Sequence, residues 1–278
     1  MGLTGKQRRF LRSKSNQISK LIVVGGENKE HWLGELEEAF KTDRFVKVRA
    51  VKRISENRKA FFNELAEETG SELVQVMGYT ALLYKVNKVL ALDIGNVCVQ
   101  LNFPKAVELL NISDATKFLD FVAESNYMGK TKRSIEDWIK ALHQLTENRF
   151  STEYLLDAWN TIVEDEIPEM ERVIRKIAEK GFRIVFLSDT NSLHYDFLIK
   201  RLSFANCITG KILSYEVGCS KPDEMIFEKF EEVYGKPCYY TDDLERNIEA
   251  ARSCGWYSHQ FKSVLEFERD FFGTKWLL

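Results

Sequence analysis

Leu92-Asp93-Ile94-Gly95-Asn96-Val97 closes the apolar run Lys88 to Leu92 with a carboxylate and follows it with a glycine turn. A short apolar run reads as a buried strand, and an acid at its carboxyl end stands where open α/β sheets bind their ligands. Three further polar clusters stand in the same position. Ser188-Asp189 follows Arg183-Ile184-Val185-Phe186-Leu187, Lys221-Pro222 follows Gly218-Cys219-Ser220, and Asp242-Asp243 follows Cys238-Tyr239-Tyr240-Thr241. Any one of them alone reads as a turn or a helix cap. As a set they offer a carboxylate to attack phosphorus, a hydroxyl and an ammonium to hold phosphoryl oxygens, and paired acids for a divalent cation.

Over roughly Val89 to the C-terminus these motifs resemble the haloacid dehalogenase (HAD) superfamily of phosphatases, and in their Asp-x-Gly-Asn-Val opening the small bacterial sugar-phosphate phosphatases. The resemblance implies a Rossmann-like parallel-sheet core with a helical cap, Mg2+ as cofactor and a phosphate monoester as substrate. It implies that Asp93 is the nucleophile, that Ser188 binds the phosphoryl group and that Lys221 offsets charge. It also implies that Asp93, the Gly95 carbonyl, Asp242 and Asp243 hold the metal, with Asn96 and Asp189 near the phosphate. One position departs: most members carry a second aspartate two residues after the nucleophile, and here that place is Gly95. A general acid is worth about 10²–10⁴ in rate, so its loss predicts a slow enzyme. His194, six residues after Ser188, is the candidate proton donor or phosphate contact.

Around this centre, the chain has 278 residues, 44% hydrophobic and 29% charged, an ordinary composition for a soluble globular protein of one or two domains. The net charge of -2 hides a division: residues 1 to 88 hold 17 Lys/Arg against 11 Asp/Glu, and the remainder is acidic. A basic front is the part suited to a polyanion. The cysteines, Cys98, Cys207, Cys219, Cys238 and Cys254, are widely spaced and form no Cys-x-x-Cys pair, which favours a reducing cytoplasm. Apolar stretches are too short for a membrane span.

The front reads helix, strand, helix, strand, helix, strand, strand: Thr4 to Ser15, Lys20 to Val24, Lys29 to Phe40, Phe45 to Val51, Glu56 to Thr69, Leu73 to Met77 and Ala81 to Val86. With its Leu3-Thr4-Gly5-Lys6-Gln7-Arg8 opening and its Val74-Gln75-Val76-Met77-Gly78 strand, it resembles the CRM domain, an RNA-binding module of chloroplast RNA splicing and ribosome maturation proteins. The resemblance implies a small mixed-sheet α/β domain over residues 1–87 that binds structured RNA, with rRNA one candidate. Lys6, Arg8, Arg9, Arg12 and Lys14 on the first helix, and Lys47, Arg49, Lys52 and Arg53 from the second strand onward, are the candidate RNA contacts. The family's Gly-x-x-Gly loop reads Gly25-Gly26-Glu27-Asn28 here, where Asn28 tolerates a left-handed backbone and Glu27 faces phosphate with like charge.

No Pro/Gly/Ser linker parts the front from the phosphatase-like region at 88–278. From Val107 to about Lys180 the pattern is helical with no strand of useful length, which the resemblance makes a cap over about 105–170. Tyr127, Lys130, Lys132, Arg133 and Trp138 are candidate selectors of substrate, and the tail Trp276-Leu277-Leu278 is expected to pack on the core. The leading expectation is a Mg2+-dependent phosphatase acting through an aspartyl-phosphate and joined to an RNA-binding domain. The alternative is a weak or inactive HAD scaffold in an RNA-binding or ribosome-assembly protein. Oligomeric state is not legible in the sequence.

Overall fold

The computed structural model describes residues 5–14, 21–51, 57–125 and 134–273. The chain packs as two compact units, one within Met1–Asn87 and one within Lys88–Trp276.

The front unit runs α1 (Gly5–Lys14), β1 (Leu21–Val24), α2 (Lys29–Thr42), β2 (Phe45–Ala50), α3 (Arg58–Glu68), β3 (Glu72–Met77) and β4 (Thr80–Tyr84). Its sheet has the order β1-β2-β4-β3, with β1 and β2 parallel and the other pairs antiparallel. Alternation decides its faces. Val46, Val48 and Ala50 of β2 point to a core shared with Trp32, Leu36 and Phe62 of α2 and α3. The opposite face carries Phe45, Lys47 and Arg49, and there Leu11 of α1 packs with Val74, Leu82 and Tyr84. Both middle helices start on asparagine caps: Asn28 accepts from the His31 amide at 3.1 Å and Asn57 from the Ala60 amide at 3.2 Å. Asn28 therefore has φ -98 and makes no use of the left-handed backbone it tolerates; Gly25, at φ 87, takes that conformation instead.

The rear unit begins with β5 (Val89–Leu92) and β6 (Val99–Leu101), then the helices α4 (Phe103–Leu109), α5 (Ala115–Ser125), α6 (Ile135–Leu145) and α7 (Thr152–Asn160). β7 (Val163–Glu166) and α8 (Met170–Glu179) lead to β8 (Arg183–Ser188), α9 (Ser192–Ile199), β9 (Ile208–Leu213), α10 (Ser214–Val217) and α11 (Glu224–Tyr234). β10 (Tyr239–Asp242), α12 (Glu245–Ser253), β11 (Ser258–Gln260) and α13 (Val264–Phe272) complete it. The main sheet is parallel throughout, in the order β11-β10-β5-β8-β9. The chain first builds outward from β5 through β8 and β9, then returns to β5's other side with β10, so a crevice opens at the carboxyl end of β5. Every side chain of β5 is buried, as a central parallel strand requires.

Helices α4 to α7 form a cluster of their own around Phe118, Phe121, Trp138 and Trp159. Trp138 and Trp159 meet at 4.8 Å between ring centroids, so Trp138, a candidate substrate selector, is a buried core residue. The expected run of helix to Lys180 is broken by β7, which pairs antiparallel with β6. Val-Glu-Asp-Glu has no strand signature; tertiary pairing of Val163 with Leu101 and of Glu166 with Val99 makes it a strand. Among the described residues no helix is long and apolar enough to cross a membrane. Tyr127, Lys130, Lys132, Arg133 and the tail Trp276-Leu277-Leu278 lie outside the described residues.

Candidate active site

Lys221 is the centre of the crevice. Its side chain is 2% exposed, and its ammonium donates to Asp93 Oδ1 at 2.7 Å, to Asp242 Oδ2 at 2.6 Å and to the Leu187 carbonyl at 3.0 Å. One buried cation thus ties the ends of β5, β8 and β10 together. Burial opposes its charge, but Asp242, Asp93 and Asp189 outweigh that and raise the ammonium above its ordinary value. Asp93 is pushed up to about 7, chiefly by burial, which the attraction of Lys221 only partly offsets and Asp242 reinforces.

Asp242 is held on all sides. Its Oδ2 accepts from Lys221 and from the Tyr240 hydroxyl; its Oδ1 accepts from the Leu244 amide and the Asn247 amide side chain, both at 2.9 Å. Burial alone would raise its carboxyl, but Lys221 and these donors hold it below the usual range. Asp243 is more open. Its Oδ2 accepts from Asn96 Nδ2 at 3.1 Å, and burial raises its carboxyl. Asn96 adopts φ 52 and also accepts the Leu101 amide on Oδ1 at 3.2 Å, so the turn after Asp93 is fixed to both β6 and Asp243.

Oxygen atoms of Asp93, Asp242 and Asp243 all lie within 4.8 Å of one another. Three hard carboxylate oxygens beside one another suit a small divalent cation such as magnesium. The raised carboxyls of Asp93 and Asp243 fit this as well, since a cation is what a buried excess of negative charge lacks. The residues present therefore fit Mg2+.

Ser188 ends β8 and is buried beside this group. Asp189 accepts the Lys221 backbone amide on Oδ1 at 3.0 Å, which ties the Ser188 loop to the lysine loop. Burial raises its carboxyl, against the pull of Lys221. Gly95 has a filled neighbourhood: a Cβ there would lie 2.6 Å from Leu101 Cδ1. His194 stands apart, contrary to the expectation of a proton donor. Its ring stacks on Trp159 at 4.7 Å, Nε2 meets the Trp159 carbonyl at 3.1 Å, and Nδ1 meets the Asn191 side-chain amide at 3.3 Å. Burial lowers it to about 4, so it is a neutral pin between α7 and α9.

Tyr240, Asn247 and Leu101 escaped the sequence reading. Tyr240 had a signal, since it is two residues before Asp242 on one strand and must share its side. Asn247, five residues beyond Asp242, needed the start of α12 to be placed.

In the front unit Arg8 donates to the Leu73 carbonyl at 3.0 Å and Arg12 reaches the Val74 carbonyl at 3.5 Å, so both fasten α1 to β3. Arg9 is exposed on α1, and Lys47 and Arg49 share the α1 side of the sheet. The side chains of Lys6 and Lys14, and all of Lys52 and Arg53, are outside what the structure describes.

A family model of the haloacid dehalogenase-like hydrolases matches residues 87–255, and one of the CRS1/YhbY (CRM) domain matches residues 3–85. A HAD family enzyme of Bacteroides thetaiotaomicron superposes with a TM-score of 0.60 at 21% identity, covering 67% of this chain and 99% of that one. A structure of the same enzyme with magnesium and inorganic phosphate superposes at 0.56, 20% identical, over 65% of this chain and 96% of that one. The front is similar to the probable RNA-binding protein YqeI of Bacillus subtilis, 34% identical over 87 residues, which is 31% of this chain and 91% of that protein.

Proposed function

The chain belongs to the haloacid dehalogenase-like hydrolases, with a CRM domain as its front part, and from that footing we propose that it is a Mg2+-dependent phosphate monoester hydrolase coupled to an RNA-binding domain. The observation that carries this reading is the buried bridge of Lys221 between Asp93 and Asp242, with Asp243 beside them. An ammonium in that place neutralises the nucleophile and the arriving phosphoryl group together.

In this reading an Asp93 oxygen attacks phosphorus and forms an aspartyl-phosphate, which water then hydrolyses. Ser188 and the amides that follow it hold phosphoryl oxygens, with Asn96 lining the same turn. Asp189 positions Lys221 through its backbone amide. Asp93, Asp243 and the Gly95 carbonyl would hold Mg2+ directly, and Asp242, already accepting from four donors, would serve through water. When bound, the ion supplies positive charge for the transferring phosphoryl group.

The front sheet face with Lys47 and Arg49, together with exposed Arg9 of α1, would meet the RNA backbone; the Bacillus subtilis relative is named a probable RNA-binding protein. Arg8 and Arg12 serve it by fixing α1. The five cysteines are all free thiols, which fits a reducing cytoplasm.

The test is hydrolysis of a panel of phosphate monoesters with and without Mg2+, wild type beside Asp93→Asn. Turnover that needs both Asp93 and the ion is expected. A second reading, a scaffold without turnover, draws on the filled space at Gly95; it would follow from a panel on which wild type and Asp93→Asn behave alike.

A further inference from the structure

The hairpin turn of the front sheet carries an exposed aromatic ring with an arginine set over it. Tyr79 is 40% exposed and stands in the tight turn between β3 and β4, where Gly78 supplies the left-handed backbone at φ 59. The turn is held in place: the Tyr79 carbonyl accepts the Ala50 amide at 2.8 Å, and Thr80 pairs with Arg49 across β4 and β2. A single exposed apolar side chain is ordinary on a protein surface; the arginine over this one is what sets it apart.

The guanidinium of Arg58 lies 4.7 Å from the centroid of the Tyr79 ring, within the range of a cation–π contact. Arg58 is the first residue of α3, and the positive end of a helix dipole is the wrong end for a cation. The first turn of α3 holds no acidic side chain to offset it. The charge thus works against the helix that bears it, whereas a ring layered with a guanidinium is what stacks on a nucleobase. Exposed Arg49 lies opposite Thr80, so a cation for the phosphate chain stands one residue along from the ring.

We propose that Tyr79 and Arg58 form a stacking platform for one unpaired base of the bound RNA, so that the front unit takes RNA with a loop, bulge or single-stranded end in preference to unbroken duplex. The inference rests on the RNA-binding reading above. Bases inside a duplex stack on one another and are closed to a protein ring, whereas an unpaired base can be splayed out onto it. Every base has a π face, so the platform selects the unpaired state and not a particular base.

The experiment measures binding of the full chain to two fluorescein-labelled RNAs with equal numbers of phosphates, a hairpin with an adenosine loop and a blunt duplex. The wild type should favour the hairpin. Tyr79→Ala should weaken hairpin binding by about 5- to 150-fold, the range of one base–aromatic stack, and leave duplex binding and the salt slope unchanged, because no phosphate contact is lost. Tyr79→Phe keeps the π face and should bind as the wild type does. 2-Aminopurine, placed at each loop position in turn, should lose fluorescence at one of them on the wild-type protein, a sign of stacking that needs no variant to fold. Hairpin binding by Tyr79→Ala as tight as that of the wild type, equal losses on hairpin and duplex, or 2-aminopurine unquenched at every position would overturn the platform and leave RNA binding standing. A wild type that retains neither RNA at low salt would bring down both.

Discussion

The two units carry their positive charge in opposite ways. In the rear unit Lys221 is sealed off from solvent between two carboxylates, where a charge acts at high strength and in one geometry. In the front unit Arg9 lies exposed on α1, and on one face of the sheet Arg49 is exposed and Lys47 half-buried, where charge is screened and tolerant of position. A buried charge suits a reaction at a single atom; a spread of wet charge suits a long polyanion.

The hardest blow to this contrast would be survival of catalysis without its buried partners. Asp93→Asn is expected to reduce Mg2+-dependent phosphate ester hydrolysis to the rate without protein, and turnover that persists would refute the assignment. Lys221→Met should cost about 3–5 kcal/mol in urea unfolding, because Asp93 and Asp242 are left buried with no cation. Lys47→Gln with Arg49→Gln, by contrast, should stay within about 0.5 kcal/mol, as surface changes do.

The rear unit's aversion to unpaired charge also has a pH signature at His194. Its folded value, about 4, lies below the ordinary 6.5, so the unfolded chain takes up the proton first. Its contribution to stability is whole above pH 6.5 and is lost as pH falls toward 4. The urea midpoint of His194→Gln should fall less over that window than that of the wild type. The gentlest test concerns the front: removing Lys47 or Arg49 should lower the salt slope of RNA binding by about 0.7–0.9 for each phosphate no longer neutralised. An unchanged slope would move the RNA surface elsewhere.

What the sequence disclosed followed from how local each signal is. The strand before Asp93 and the clusters at Ser188, Lys221 and Asp242 were legible because each couples an apolar run to a polar stop within a few residues. The alternation of Phe45 to Ala50 likewise marked its wet and dry faces. The strand at Val163–Glu166 was hidden because its acidic residues become extended only by pairing with Val99–Leu101. Arg8 and Arg12 looked like free cations since their partners, the Leu73 and Val74 carbonyls, are more than sixty positions away. His194 resembled a catalytic histidine until Trp159 was found against its ring. A side chain's chemistry can be read locally, but whether it is free to act depends on distant neighbours.

The pairing of β6 with β7 has a mechanical consequence. The chain leaves the core for the four helices along one of these strands and returns along the other, and further bonds fasten the two passages: the Asn102 amide to the Ile162 carbonyl at 2.8 Å, and the Ile167 amide to the Cys98 carbonyl at 2.8 Å. The helices are thus mounted on a double-stranded handle, stiffer than two separate threads. The root of that handle is the turn bearing Asn96, whose side chain grips Asp243. A swing of the helices would be levered through Asn96 onto the Asp243 carboxylate, so the posture of the bundle and the place of that side chain are tied to one another.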